Sequence, residues 1–165
     1  MPRRSILSAG ERTSLLAVPD KEDELIRHYT LTEPDLSLIR QRRGEVNRLG
    51  FAVQLCYLRF PSIILGADQS PDPALLAFAA DQLRVSPDGW NEYGRRDQTR
   101  REHLLELQTW LKLAPFAVSD YRHFVHQLAE LAQQTDRGIV LAEALVELLR
   151  QQRIILPAVD VIERV

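Results

Sequence analysis

The sequence predicts an all-α protein, a module of about eight helices with helix-turn-helix-like halves, and three features predict it. N-cap residues and prolines punctuate the chain at helical intervals, apolar residues recur three and four positions apart, and no stretch alternates long enough to make a strand. A hydrophobic fraction of 45% over 165 residues is enough for a packed core without disulfides or metals.

The elements follow in order. Ser8 with Glu11 three residues on matches a capping box and opens a short helix running to Ala17, which Pro19 stops. Asp20 caps the next, whose stripe is Leu25, Ile26 and Tyr29. Thr32, Glu33, Pro34 and Asp35 start a third, because proline is tolerated in a first turn and acids favour the positive end of the helix dipole. That helix should end at Gly44. Asn47 then caps RLGFAVQLCYLRF, apolar nearly all round apart from Gln54, which reads as a buried central helix ending before Pro61.

Residues 61–73, PSIILGADQSPDP, hold three prolines, a glycine and two aspartates, so the chain is expected to divide here. The organisation is then a helical half over 1–65, a linker over 66–73 and a second half over 74–165. Asp72 and Pro73 open a helix through Leu83, with Leu75, Leu76, Phe78, Ala79 and Leu83 inward. Ser86 and Pro87 start a short turn carrying Trp90 and Tyr93. From Asp97 to Leu113 a longer helix begins basic and becomes apolar, with Leu104, Leu107 and Leu111 on one face and Trp110 beside them, and Pro115 closes it. Ser119 and Asp120 cap a helix to about Gln134, and Thr135 and Asp136 open one to about Gln152. The tail RIILPAVDVIERV is extended before Pro157 and begins one more helix, cut in mid-pattern, so the chain reads as the front of a longer protein.

Charge is uneven. With 21 basic against 23 acidic residues the net charge is −2, which excludes overall basic character and makes any nucleic-acid surface local. Nineteen of the basic residues are arginine, whose planar fork suits phosphate and guanine. One cluster is Arg40, Arg42, Arg43, Arg48 and Arg59, opposed only by Glu45; the other is Arg95, Arg96, Arg100 and Arg101, opposed only by Asp97.

Several classes are excluded. A single cysteine, Cys56, rules out an internal disulfide and a multi-thiolate zinc site, and its neighbours Val53, Leu55, Tyr57 and Leu58 make it a small core residue. No apolar run reaches membrane-spanning or signal-peptide form, which predicts a cytoplasmic protein with no membrane partner. There is no glycine-rich phosphate loop, GxSxG or HExxH, so no catalytic residue and no cofactor is assigned. Asp120, His123, His126 and Glu130 fall near one helix face, but one row on one helix cannot surround a metal, so they read as a polar face and no metal site is expected. His28 and His103 have no partners in sequence and read as surface or capping residues.

What remains is nucleic-acid binding. In LTEPDLSLIRQRRGEVNRLGFAVQLCYLRFP, a capped helix, a break at Gly44 and a second helix match the helix-turn-helix format. Arg40 and Arg43 share a face, and Arg42, Asn47 and Arg48 gather around the break. In EYGRRDQTRREHLLELQ, four arginines with Gln98 and Thr99 sit at the front of a long helix, where free N–H groups already attract anions. Both clusters have a plainer reading, as a solvated basic face in the first and as i,i+4 pairing with Glu102 and Glu106 in the second.

These strings carry a resemblance. MPRRSILSAGERTSLLAVPDKEDELIRHYTL, IRQRRGEVNRLGFAVQLCYLRFPSIIL, EYGRRDQTRREHLLELQ and QTDRGIVLAEALVELLRQQRIILPA together resemble the amino-terminal region of the large, TnpA-type transposases of the Tn-three family, over essentially the whole chain. The resemblance implies a region that recognises terminal inverted repeats on double-stranded DNA, attached to the rest of a much larger transposase and acting with a second transposase copy. It also implies that cleavage and strand transfer belong to a magnesium-dependent acidic triad in a carboxyl-terminal domain that nothing here matches. The acidic stretch DQSPDPALLAFAADQLRVSPDG matches least.

The expectation is therefore a bacterial DNA-binding module that does not itself cut. Its phosphate clamps are Arg42, Arg43, Arg59, Arg95, Arg96, Arg100 and Arg101, and its base readers are Arg40, Gln41, Asn47, Arg48, Gln98 and Thr99. The alternative is a protein-interaction module whose arginines pair with acidic protein surfaces.

Overall fold

The computed structural model describes residues 6–65 and 69–164. Among them are ten helices and no strand: α1 Ala9–Leu15, α2 Glu22–Tyr29, α3 Glu33–Arg40, α4 Gly44–Arg59, α5 Pro73–Leu83, α6 Gly89–Tyr93, α7 Asp97–Leu111, α8 Val118–Ala132, α9 Gly138–Gln151 and α10 Val159–Arg164. The all-α class holds, with ten helices among the described residues against about eight expected: the short turn at 89–93 is helical in its own right, and the helix start expected in the tail is α10.

The chain forms two compact units, residues 18–112 in one, and residues 1–17 with 113–165 in the other. The residues on both sides of 66–73 fall in the larger unit. Gly66, Ala67 and Asp68 of the expected linker lie outside the described residues. Beyond them Pro71 is buried, and the Asp72 N–H donates to Tyr57 Oη at 2.7 Å. α5 packs against α4 and α2 in the same unit. Prolines and aspartates marked a loop correctly, but apolar faces on either side of it decide what counts as one body.

In the larger unit α4 is the hub. Residues 49–58 are all buried, and α2, α3, α5, α6 and α7 pack around the helix. Burying an apolar helix on every side needs neighbours on every side, which explains why five helices surround this one. Where α6 crosses, the ring of Tyr93 occupies the space a side chain at Gly50 would need. Gly44 has φ 79°, in the left-handed region that favours glycine, and it turns the chain from α3 into α4. α4 thus begins three residues before Asn47, which sits inside its first turns rather than capping it.

Other caps agree in part. Ser8 with Glu11 and Thr32 with Asp35 form reciprocal capping boxes, and Asp72 accepts from the N–H groups of Ala74 and Leu75. Lys21, not Asp20, precedes α2, without a side-chain cap. α7 ends at Lys112, whose φ of 55° closes the helix before Pro115 is reached. α8 starts one residue early, with Asp120 accepting from the Ala117 N–H at 2.7 Å.

In the smaller unit α9 packs against α1, α8 and α10. Leu145, Leu149 and Phe124 are its best-buried side chains. The extended segment before Pro157 is held by the Ala114 N–H on Arg153 O at 3.0 Å and the Ile155 N–H on Ala114 O at 2.8 Å. Arg12 of α1 pairs with Asp160 and Glu163 of α10. Asp120, His123, His126 and Glu130 lie along α8; His123, His126 and Glu130 line an open depression with Leu148 of α9.

Candidate nucleic-acid interface

The larger unit contains both arginine clusters and brings them together. The first surrounds the connection between α3 and α4, residues 41–43, and the second surrounds the connection between α6 and α7, residues 94–96. The Arg96 Nη1 donates to Asn47 Oδ1 at 2.9 Å, and the Arg42 Nη1 donates to Glu106 Oε1 of α7 at 2.6 Å. α7 crosses α4 here, and the Gln54 amide reaches Arg100 O at 3.4 Å.

Within this junction the arginines sort by what already holds them. Arg42 is half-buried, paired with Glu106, and stacked with its guanidinium carbon 4.8 Å from the centre of the Phe51 ring, an arrangement worth about 0.5–2 kcal/mol. Arg48 donates from Nε to Arg42 O at 3.0 Å and from Nη2 to Arg40 O at 3.3 Å, so it closes the carboxyl end of α3. Arg96 is shared between Asn47 and Glu92, and Arg100 pairs with Asp97 at 2.9 Å. By contrast Arg40, Arg43, Arg95 and Arg101 are exposed, and none has a carboxylate within 4.0 Å among the described residues.

Arg59 stands apart at the other end of α4. Its two Nη atoms donate to the two carboxylate oxygens of Asp35 at 2.8 and 2.9 Å, a bidentate pair on a carboxylate only 2% exposed. Burial opposes the charge on Asp35, but the bonds from Arg59 and from the Thr32 N–H outweigh it and hold the carboxyl below the usual range. Arg59 thus fastens α4 to α3.

The polar residues expected to read bases sort likewise. Asn47 Oδ1 is engaged by Arg96 and Arg48 uses Nε and Nη2, so neither has its full bidentate edge free for adenine or guanine. Gln41 is exposed, its side-chain Oε1 accepting from Arg42 Nη2 at 3.4 Å, and Gln98 is exposed and donates to Glu102 at 3.2 Å. Thr99 is half-buried on the first turn of α7.

Sequence reasoning missed a buried polar chain behind this surface. The Gln54 amide donates to Tyr93 Oη, and Tyr93 Oη lies 2.9 Å from His103 Nδ1. His103 is neither at the surface nor a cap: it is 6% exposed, stacked on Tyr93 and edge-on to Phe51. Burial, then the nearby Arg42 charge, lowers its pKa and favours the neutral ring, while burial raises that of Tyr93. The one legible signal was Gln54, a lone amide in an otherwise apolar helix, which must find partners if buried. His28 is half-buried and stacked on Phe60 at 4.3 Å. Cys56 is fully buried, its thiol pushed up to about 12 by burial, in keeping with a core residue rather than a reactive one.

Fold and site together define an all-α module with an arginine-rich helix junction in its larger unit, and among the described residues no helix is long and apolar enough to cross a membrane. The chain belongs to the family described as Domain of unknown function (DUF4158), whose model matches residues 6–165. It is similar to the transposase for transposon Tn3926 of Escherichia coli, 67% identical over 164 residues. The transposase for transposon Tn21 of Escherichia coli is 65% identical over 164 residues, and that for transposon Tn501 of Pseudomonas aeruginosa 59% over 165. Each match takes in 99% of this chain and 17% of the relative, so the chain spans about one sixth of the length of those curated relatives. The resemblance to the amino-terminal region of Tn-three family transposases is thereby borne out.

Proposed function

We propose that this chain is a DNA-binding part of a bacterial transposase, recognising the terminal inverted repeats of a transposon on duplex DNA, without cutting it. The observation that carries the reading is the set Arg40, Arg43, Arg95 and Arg101, exposed and without a carboxylate partner among the described residues, at and beside the α3–α4 and α6–α7 connections, whose surroundings the Arg96–Asn47 bond joins. Unpaired guanidinium groups on a protein of net charge −2 make a local anion surface, as backbone phosphates require. Their partners in a full complex would be transposon-end DNA, the rest of the transposase and a second transposase copy.

Roles divide by how each side chain is already held. Arg43, Arg95 and Arg101 act as phosphate clamps, and Arg40, Gln41, Gln98 and Thr99 are the base-reading set. Arg96 can exchange its exposed surface pair with Glu92, worth about 0–1 kcal/mol, for a phosphate, whereas Arg100 is more covered where it pairs with Asp97. Arg42, Asn47 and Arg48 orient the junction. Arg59 is a fold residue, since freeing it would strand Asp35.

A second reading, an assembly module, draws on Leu105 and Trp110 of α7, which are 65% and 44% exposed. Fluorescence anisotropy of the 165-residue chain with a labelled inverted-repeat duplex and an unrelated duplex, across a salt series, separates the two. Tighter binding of the inverted repeat is expected. Arg95→Ala with Arg101→Ala should flatten the salt slope by about 1.8, two phosphates at about 0.9 each. Failure to bind either duplex would leave the assembly reading in possession.

A further inference from the structure

A cleft of about 420 Å³ opens in the larger unit where the end of α3, the start of α4 and the end of α5 meet. Three arginines line it, Arg40, Arg48 and Arg84, and Glu45 is the one acid among its described lining residues. Arg84 comes from outside both sequence clusters, at the carboxyl end of the helix that reads as least suited to DNA. It stands at φ 57°, and the Val85 N–H bonds back to Ala80 O at 3.0 Å, so the turn that presents it is closed.

The neutral polar side chain of the wall is already used. Gln82 accepts from the Leu31 N–H at 2.8 Å and donates to Tyr29 O at 2.9 Å, tying α5 to the end of α2. Arg48 is fixed by the carbonyl groups of Arg40, at the end of α3, and Arg42, in the connection that follows, with Nη1 left over. Arg40 and Arg84 are exposed, and Glu45 lies more than 4.0 Å from pairing with any of the three. Three like charges around one cleft repel one another, and an anion entering it relieves that repulsion while accepting fork-like bonds.

We propose that this cleft takes a backbone phosphate of the bound duplex, with Arg84 as a clamp beyond the two arginine clusters and Arg48 as the preorganised floor. The inference rests on the DNA-binding reading and extends its contact surface to α5. A phosphate contact carries no sequence preference, so it acts equally on every duplex.

The test uses the 165-residue chain and anisotropy with the inverted-repeat and unrelated duplexes over a salt series, comparing wild type, Arg84→Asn, Arg84→Glu and Arg122→Gln of α8. Asparagine suits a positive φ, so Arg84→Asn removes the charge without straining the turn; equal circular dichroism and melting temperature confirm folding. Arg84→Asn should reduce the slope by about 0.9 and weaken both duplexes by about eightfold at 0.1 M salt. Arg84→Glu should weaken them more, and Arg122→Gln should leave them unchanged. An unchanged slope in Arg84→Asn, with wild type still binding, overturns the phosphate site and leaves the functional reading standing. Loss of inorganic-phosphate binding in that variant, followed by NMR of the arginine Nε–H groups, with the duplex slope unchanged, assigns the cleft to free phosphate and overturns it too. Wild type binding neither duplex removes the functional reading and this site together.

Discussion

The ring of Tyr93 lies directly on Gly50, so close that a Cβ there would fall inside van der Waals contact with three ring carbons. This contact sets the distance between α6 and α4, and with it the place where the second arginine cluster begins. Alanine is intrinsically better in a helix than glycine by about 1 kcal/mol. Here the substitution has the opposite sign, because Tyr93 is fully buried and bonded to His103 and has nowhere to go. Gly50→Ala should destabilise the chain by about 1–3 kcal/mol, the usual range for overpacking, in urea unfolding followed by circular dichroism. A midpoint equal to or above wild type would mean that Tyr93 is not seated as described.

Acid should act through Asp35. Its folded-state pKa lies below the unfolded value of about 3.9, so its contribution is complete above about pH 4 and is lost as pH falls through the folded value. Removing one member of a buried pair costs about 3–5 kcal/mol, and with Arg59 still 30% exposed the lower end applies. Asp35→Ala should therefore lose about 3 kcal/mol at pH 7 and show a shallower acid limb than wild type. Parallel acid limbs in the two proteins would refute the assignment.

His103 makes a separate prediction at milder pH. Its folded pKa is lowered, so its contribution is complete above the unfolded value of about 6.5 and declines as pH falls below it. Protonation would place a cation beside Arg42 and take away the Nδ1 lone pair available to Tyr93 Oη. The His103 C2 proton should titrate in NMR with a midpoint below 6.5, and a midpoint at or above that value would show the ring to be open to water or paired with Glu102 or Glu106.

Local chemistry was legible in the sequence wherever the determining partners lie within a few positions. The capping box at Ser8, the helix starts at Thr32 and at Asp72–Pro73 and the all-round apolar run of α4 each depend on neighbours three or four residues away or on composition alone. The whole-chain likeness to Tn-three family transposases was legible for a different reason, since long strings are read without any knowledge of contacts. The gaps arose at longer range. Asn47 looked like a cap because the local code offers nothing better, whereas a left-handed Gly44 starts the helix three residues sooner.

What residue order determined by itself is therefore the helical class, most helix starts and the presence of two arginine clusters. Tertiary structure decided that Arg42 and Arg59 are spent, and how Arg96 is shared. Arg59 and Asp35 are 24 positions apart, Arg42 and Glu106 are 64 apart, and Asn47 meets Arg96 across 49. A charge is available to a ligand only when no fold partner satisfies it, and for Arg42, Arg59 and Arg96 such partners arrive from helices distant in sequence. Packing around α4 leaves Arg40, Arg43, Arg95 and Arg101 facing water, and it sets Arg84 in the same cleft as Arg40.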